Sequence, residues 1–166
     1  MTARKRRIEV RNSPIHGRGV FAAMDLPAGI KVIRYRGQVI THAQADRKYD
    51  GTLETGHTFL FTLNDRYIVD ANVGGNSARW INHSCDPNCE STIYVDVNGN
   101  EREDKAWVET LRPIRAGEEL TYNYGIVLDV PHTKRMKTLW ACRCGAKNCT
   151  GTMLKPKSKG KSTYKD

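Results

Sequence analysis

Cys142, Cys144 and Cys149 crowd into eight residues around Gly145, a spacing that lets several thiolates converge on one ion. Zinc takes four soft ligands in a tetrahedron, so this cluster supplies three and the fourth must come from elsewhere. A redox pair or a fortuitous cluster is the alternative. A second segment, Arg79-Trp80-Ile81-Asn82-His83-Ser84-Cys85-Asp86-Pro87-Asn88-Cys89, sets amide, imidazole and thiol behind an apolar Trp-Ile pair. Buried without partners, each such polar group costs roughly a few kcal/mol. The plain alternative here is a Pro-terminated loop with a satisfied histidine. In a third segment, Gly117-Glu118-Glu119-Leu120-Thr121-Tyr122-Asn123-Tyr124-Gly125, two tyrosines stand two residues apart and share a face of any strand they lie on.

That ordered trio resembles the SET-domain protein lysine methyltransferases. The second segment looks like the family's R-F-I-N-H-S-C-x-P-N signature, with Trp80 in the usual Phe position. The third resembles its E-L-T-Y-D-Y strand, with Asn123 where Asp is common, and the cysteines resemble the C-x-C-x4-C of its post-SET segment. Upstream, His16-Gly17-Arg18-Gly19-Val20-Phe21 and Tyr35-Arg36-Gly37 match two further elements. The likeness runs from Ile8 to Leu154 and is closest to trithorax-type members, in a compact form similar to bacterial or viral SET proteins.

The resemblance implies an S-adenosylmethionine-dependent protein-lysine N-methyltransferase. Tyr124 falls on the family's active-site tyrosine, and Tyr122 on its Phe/Tyr switch, where a tyrosine implies mainly monomethylation with some dimethylation. Donor contacts are implied at His16, Gly17, Arg18, Gly19, Phe59, Asn82, His83 and Arg143. The lysine channel is implied at Tyr35, Phe59, Tyr122 and Tyr124, although close relatives often carry tyrosine at the Phe59 position. One structural zinc ion is implied on Cys85, Cys142, Cys144 and Cys149, with Cys89 a spare on the same loop. The implied partner is a protein substrate, a histone tail (H3 favoured) or another basic protein. A degenerate SET scaffold is expected to lose Tyr124, Asn82 or the glycines, and all are present.

The 166 residues suffice for one core, and 27 Lys and Arg against 18 Asp and Glu give a net charge of +9. Much of the excess lies at the ends, in Arg4-Lys5-Arg6-Arg7 and among Lys155, Lys157, Lys159, Lys161 and Lys165. Such ends are solvated tails or a weak electrostatic contact with nucleic acid, the latter being the basis for a rival reading as a zinc-dependent nucleic-acid-binding protein. No secretory signal or membrane span is discernible, so an intracellular site is expected, in a nucleus, a host nucleus or a bacterial cytoplasm. Oligomeric state is left open.

The elements that must position these groups read as a mainly β domain with few short helices. Strands are expected at 31–35 and 37–40, as hairpins at 58–63 with 67–71 and at 91–97 with 105–111, and finally at 119–124. Thr41 and Gln44 are spaced as a capping box for a helix over 41–49. A helical turn is expected near 75–80. Four units follow: a SET domain over 7–125, a connector over 126–137, a post-SET zinc segment over 138–154 and a basic disordered tail over 155–166. The family resemblance adds small curved sheets around a threaded, knot-like C-terminal segment.

Overall fold

A computed structural model describes residues 5–50, 59–128 and 130–156 of the chain. Within them lie small sheets rather than one large one. Strands β1 (Ile8–Asn12) and β2 (Arg18–Ala22) form an antiparallel hairpin. Strands β3 (Lys31–Arg34), β8 (Cys89–Tyr94) and β9 (Lys105–Thr110) form a sheet of order β3-β9-β8. Strands β4 (Gln38–Thr41), β5 (Leu60–Thr62) and β6 (Tyr67–Asp70) form another, of order β4-β6-β5. The last pair, β7 (Asn82–His83) and β10 (Thr121–Tyr122), runs parallel. The fold is mainly β with two short helices among the described residues, as expected.

Local chemistry explains most of these elements. Helix α1 (His42–Lys48) begins where expected, because Thr41 accepts from the Gln44 N–H while the Gln44 side chain returns a bond to the Thr41 N–H. The turn at Asn64 joins β5 to β6, its side-chain oxygen accepting from the N–H groups of Arg66 and Tyr67, both at 3.0 Å. The expected helical turn is a 3-10 helix over Ser77–Trp80, capped by Asn76.

Two expectations shift in extent. The strand expected over 91–97 stops at Tyr94, because Asp96 folds back on the loop and accepts from the N–H groups of Asn98 and Asn100. The strand expected over 119–124 is only β10, because the Tyr124 N–H leaves the ladder to bond His83 Nδ1. Residues 126–137 contain a bridge from Ile126 to Leu154 and the start of helix α2 (Lys134–Leu139). Thr58 of the expected strand, Asp129, residues 1–4 with Arg4, and residues 157–166 of the expected tail lie outside the described residues.

The main core gathers Val20, Val69 and Val108 from β2, β6 and β9, with Leu26, Leu63, Ile81, Ile114 and Leu120 from the segments between strands. A smaller cluster of Leu128, Trp140 and Leu154 packs the C-terminal segment. Asp70, fully buried, pins α1 to β6 by accepting from Lys48 Nζ and Tyr49 Oη, both at 2.7 Å. Burial alone would raise its pKa, but the Lys48 and Tyr49 donors outweigh that and hold the carboxyl below its usual range.

Gly37 is where chain meets chain too closely for a side chain. A Cβ there would lie 2.3 Å from the Asp70 carbonyl oxygen, which is backbone of a paired strand and cannot step aside. Gly37→Ala is therefore expected to cost about 1–3 kcal/mol of stability, read as a lowered thermal midpoint.

Candidate functional site

Two short strands bring the chemical segments together. The parallel pairing sets Asn82 against Thr121 and His83 against Tyr122. Asn88, buried, locks the crossing by donating to the Glu119 carbonyl at 2.8 Å and accepting from the Thr121 N–H at 2.9 Å. The side-chain amide of Asn82 donates to the carbonyls of His16 (3.2 Å) and Arg18 (2.9 Å) and to Glu119 Oε1 (2.8 Å). Its two hydrogens are thus already shared among three protein acceptors, so Asn82 holds the Gly-Arg-Gly turn in place. Any donor contact expected of it falls to its other atoms.

A cavity of about 1040 Å³ opens beside this crossing. His16, Gly17 and Arg18 line it from the turn before β2, Asn82 and His83 from β7, and Arg143 from the cysteine segment. Tyr35, Phe59, Tyr122 and Tyr124 line it too, so nearly every expected donor or channel residue meets there. Gly19 stands behind the wall: it is buried, and a Cβ on it would lie 2.2 Å from Glu119 Oε1.

The aromatic part is a close-set cluster. Ring centroids lie 4.9 Å apart for Tyr122 and Tyr124, 4.9 Å for Tyr35 and Phe61, and 6.4 Å for Phe61 and Tyr122. The Tyr124 hydroxyl donates to the Ile81 carbonyl at 2.5 Å, which leaves its oxygen lone pairs as acceptors. Burial raises the pKa of Tyr35, Tyr122 and Tyr124 above the usual phenol range, so all three stay protonated at neutral pH.

His83 is buried, and burial lowers its pKa to about 4. Its neutral ring accepts from the Tyr124 N–H at 3.0 Å through Nδ1, which places the proton on Nε2. Nε2 then faces Cys85 Sγ at 3.7 Å. A single imidazole thus joins the tyrosine pair to the thiol cluster.

The sulfurs of Cys85, Cys142, Cys144 and Cys149 all lie within 4.8 Å of one another, and the four could hold a metal ion. Burial works against ionising Cys144. Backbone donors at Cys85 and Ala146 and the neighbouring thiols outweigh it, lowering its pKa to about 6. Cys89 is set apart in the main core with its thiol pushed up to about 12 by burial, so the choice between the two loop cysteines falls on Cys85.

Several site residues were not singled out from the sequence. Phe61 alternates with Phe59, a period-two signal that could have exposed it. Trp80 takes an edge contact from Phe59 at 5.0 Å and lies beneath the guanidinium groups of Arg18 (5.1 Å) and Arg79 (4.9 Å). Glu119, which accepts from Ser13 and Asn82, had no sequence signal beyond its place in the motif. Arg79 Nε and Trp140 Nε1 are buried with no acceptor among the described residues, and both side chains line the cavity.

Comparison with known proteins agrees with the geometry. Residues 17–125 match the SET domain family model. The chain is 39% identical over 148 residues to the human histone-lysine N-methyltransferase 2B, covering 87% of this chain and 5% of that protein. It is 37% identical over 144 residues to the histone-lysine N-methyltransferase trithorax of Drosophila melanogaster, covering 86% and 4%. It is 34% identical over 153 residues to a Candida albicans histone-lysine N-methyltransferase described as H3 lysine-4 specific, covering 91% and 14%. The chain thus spans a small fraction of the length of these relatives.

Titration of the metal-free chain with zinc is expected to give one tight site per molecule. Cys144→Ser should weaken it by more than about tenfold, since losing even an outer-shell partner costs that much.

Proposed function

This chain belongs to the SET-domain family, and we propose that it is an S-adenosylmethionine-dependent protein-lysine N-methyltransferase acting on histone tails, with H3 favoured. The observation that carries this reading is the single cavity where a donor-type glycine turn meets four closely packed aromatic rings. The names of the relatives support the substrate class, and the H3 lysine-4 specificity in the name of the Candida albicans relative supports H3. Chromatin is then the place of action. No helix among the described residues is long and apolar enough to cross a membrane.

When bound, S-adenosylmethionine supplies an electrophilic methyl group on a sulfonium. His16, Gly17, Arg18, Asn82, His83 and Arg143 would hold it, with Gly19 supporting their turn from behind the cavity wall. Tyr35, Phe59, Phe61, Tyr122 and Tyr124 enclose the methylene stem of the substrate lysine, an environment that suits an apolar stem and a partly charged head. Methyl transfer needs a neutral amine, although free lysine has a pKa near 10.4. The buried channel disfavours the ammonium form and lowers that value.

The tyrosines remain protonated and do not act as strong bases. Tyr124, held by Ile81, uses its lone pairs to orient the amine and to favour the polarised methyl. Alignment and exclusion of water are the principal sources of rate, a contribution that can reach about 7–11 kcal/mol. Tyr122 supplies a hydroxyl where extra methyl groups would sit, which supports mainly mono- and some dimethylation. Cys85, Cys142, Cys144 and Cys149 would hold a zinc ion, which would staple the C-terminal segment to the loop that follows His83.

The test is transfer of labelled methyl to mixed core histones and to a non-histone basic protein. Tyr124→Phe is expected to lower turnover by roughly 100-fold or more while leaving donor binding intact, as for loss of a hydrogen-bonding group at the reacting centre. Turnover close to that of the unaltered chain would remove Tyr124 from its role. Tyr122→Phe is expected to move products toward di- and trimethyl-lysine by mass spectrometry. Label confined to the non-histone protein would replace the histone assignment.

A further inference from the structure

We propose that the loop between β8 and β9 is a strut that sets the aromatic wall of the lysine channel, with Asn64 and Asp104 as positioning residues. Its catalytic consequence rests on the methyltransferase reading above, whereas its mechanical part does not. The sequence suggests a tight turn at Asn98-Gly99-Asn100, yet residues 95–104 build a longer, internally bonded arm. Asp96 accepts from the N–H groups of Asn98 and Asn100, and its own N–H donates to Asp104 Oδ1 at 2.8 Å. The Glu103 N–H closes a 3-10 turn onto the Asn100 carbonyl at 2.8 Å.

This arm crosses to the other three-stranded sheet. Asn64 Nδ2 donates to the Glu101 carbonyl and to Asp104 Oδ2, both at 2.8 Å. Arg66 pairs with Glu101 at 3.3 Å, and Arg102 reaches the Val39 carbonyl at 3.3 Å while lying over the Tyr67 ring at 5.9 Å. The Asn64 carbonyl also meets His42 Nε2 at 2.9 Å. Asn64 therefore ties α1, the β5–β6 turn and the arm together, and Asp104 is buried at that junction, 6% exposed.

The turn so held stands three residues from Phe61, whose ring packs on Tyr35 and lies 6.4 Å from Tyr122. Leu63, next to Asn64, is buried in the main core. A tilt of the turn would therefore carry Phe61 with it, and a misplacement of about 1 Å near a reacting centre can cost about 100-fold in rate. The donor turn at His16–Gly19 is held separately, by Asn82 and Glu119. The strut therefore acts on the substrate side of the cavity and not on the donor side.

N64D isolates the strut. It keeps the oxygen that accepts from Arg66 and Tyr67 but sets a carboxylate against Asp104 in place of the donor. Amide hydrogen exchange across β5 and β6 is expected to quicken about tenfold, and KM for an H3 peptide to rise about tenfold, with the Kd for S-adenosylmethionine changed less than about twofold. Adding D104N to N64D restores a donor–acceptor pair and is expected to return both values toward the original. Unchanged exchange, a parallel loss of donor affinity, or no rescue by D104N would each overturn the strut. If N64D fails to fold, R102A takes its place, expected to act in the same direction by about threefold without disturbing the turn. No transfer by the unaltered chain would sink the methyltransferase reading, and the exchange measurement would still decide the strut.

Discussion

The structure depends on a parallel ladder only two residues long. Two pairs of residues cannot hold a strand pair by backbone bonds alone, and parallel pairing is the weaker kind. The Asn88 side chain completes it by fastening the Glu119 and Thr121 backbone, beside one further backbone bond from the Ser84 N–H to the Tyr122 carbonyl. Leaving any of these buried groups unpaired would cost about 1–3 kcal/mol. The position of Tyr122 and Tyr124 on one side, and of Cys85 on the other, follows from this crossing.

His83 joins the crossing to the thiol cluster. Because it is buried and neutral, one nitrogen can accept from the Tyr124 backbone while the other faces a cluster thiol. A charged imidazole would have no lone pair for Tyr124. Cys85 is thereby linked to the backbone of Tyr124 through one ring.

The small sheets share the work of positioning. One carries the Tyr35 side of the cavity, another carries Phe61, and the hairpin of β1 and β2 carries the glycine turn. None is large enough to stand alone, so their joints are polar and specific: Asp70 to α1, Asn64 to the β8–β9 arm, Glu119 to Ser13 and Asn82. Gly37 and Gly19 mark joints where a single methyl group would force backbone or carboxylate apart.

Much of this was legible in the chain itself. The capping box at Thr41, the turn at Asn64 and the alternation of Phe59 with Phe61 are local patterns, and local patterns depend only on neighbours. The ordered motifs around Asn82, Tyr124 and Cys142 indicated the family and most of the cavity wall. The resemblance pointed to Cys85 rather than Cys89, and tertiary structure supplied the physical reason: the Cys85 sulfur converges on the other three while Cys89 is buried in the core. Tertiary structure alone decided that the Asn82 amide binds the protein, that β10 stops short of Tyr124, and that residues 95–104 reach Asn64. Each of those outcomes turns on partners roughly 30 or more residues away, and spacing along a chain carries no information about which distant group fills a hydrogen bond.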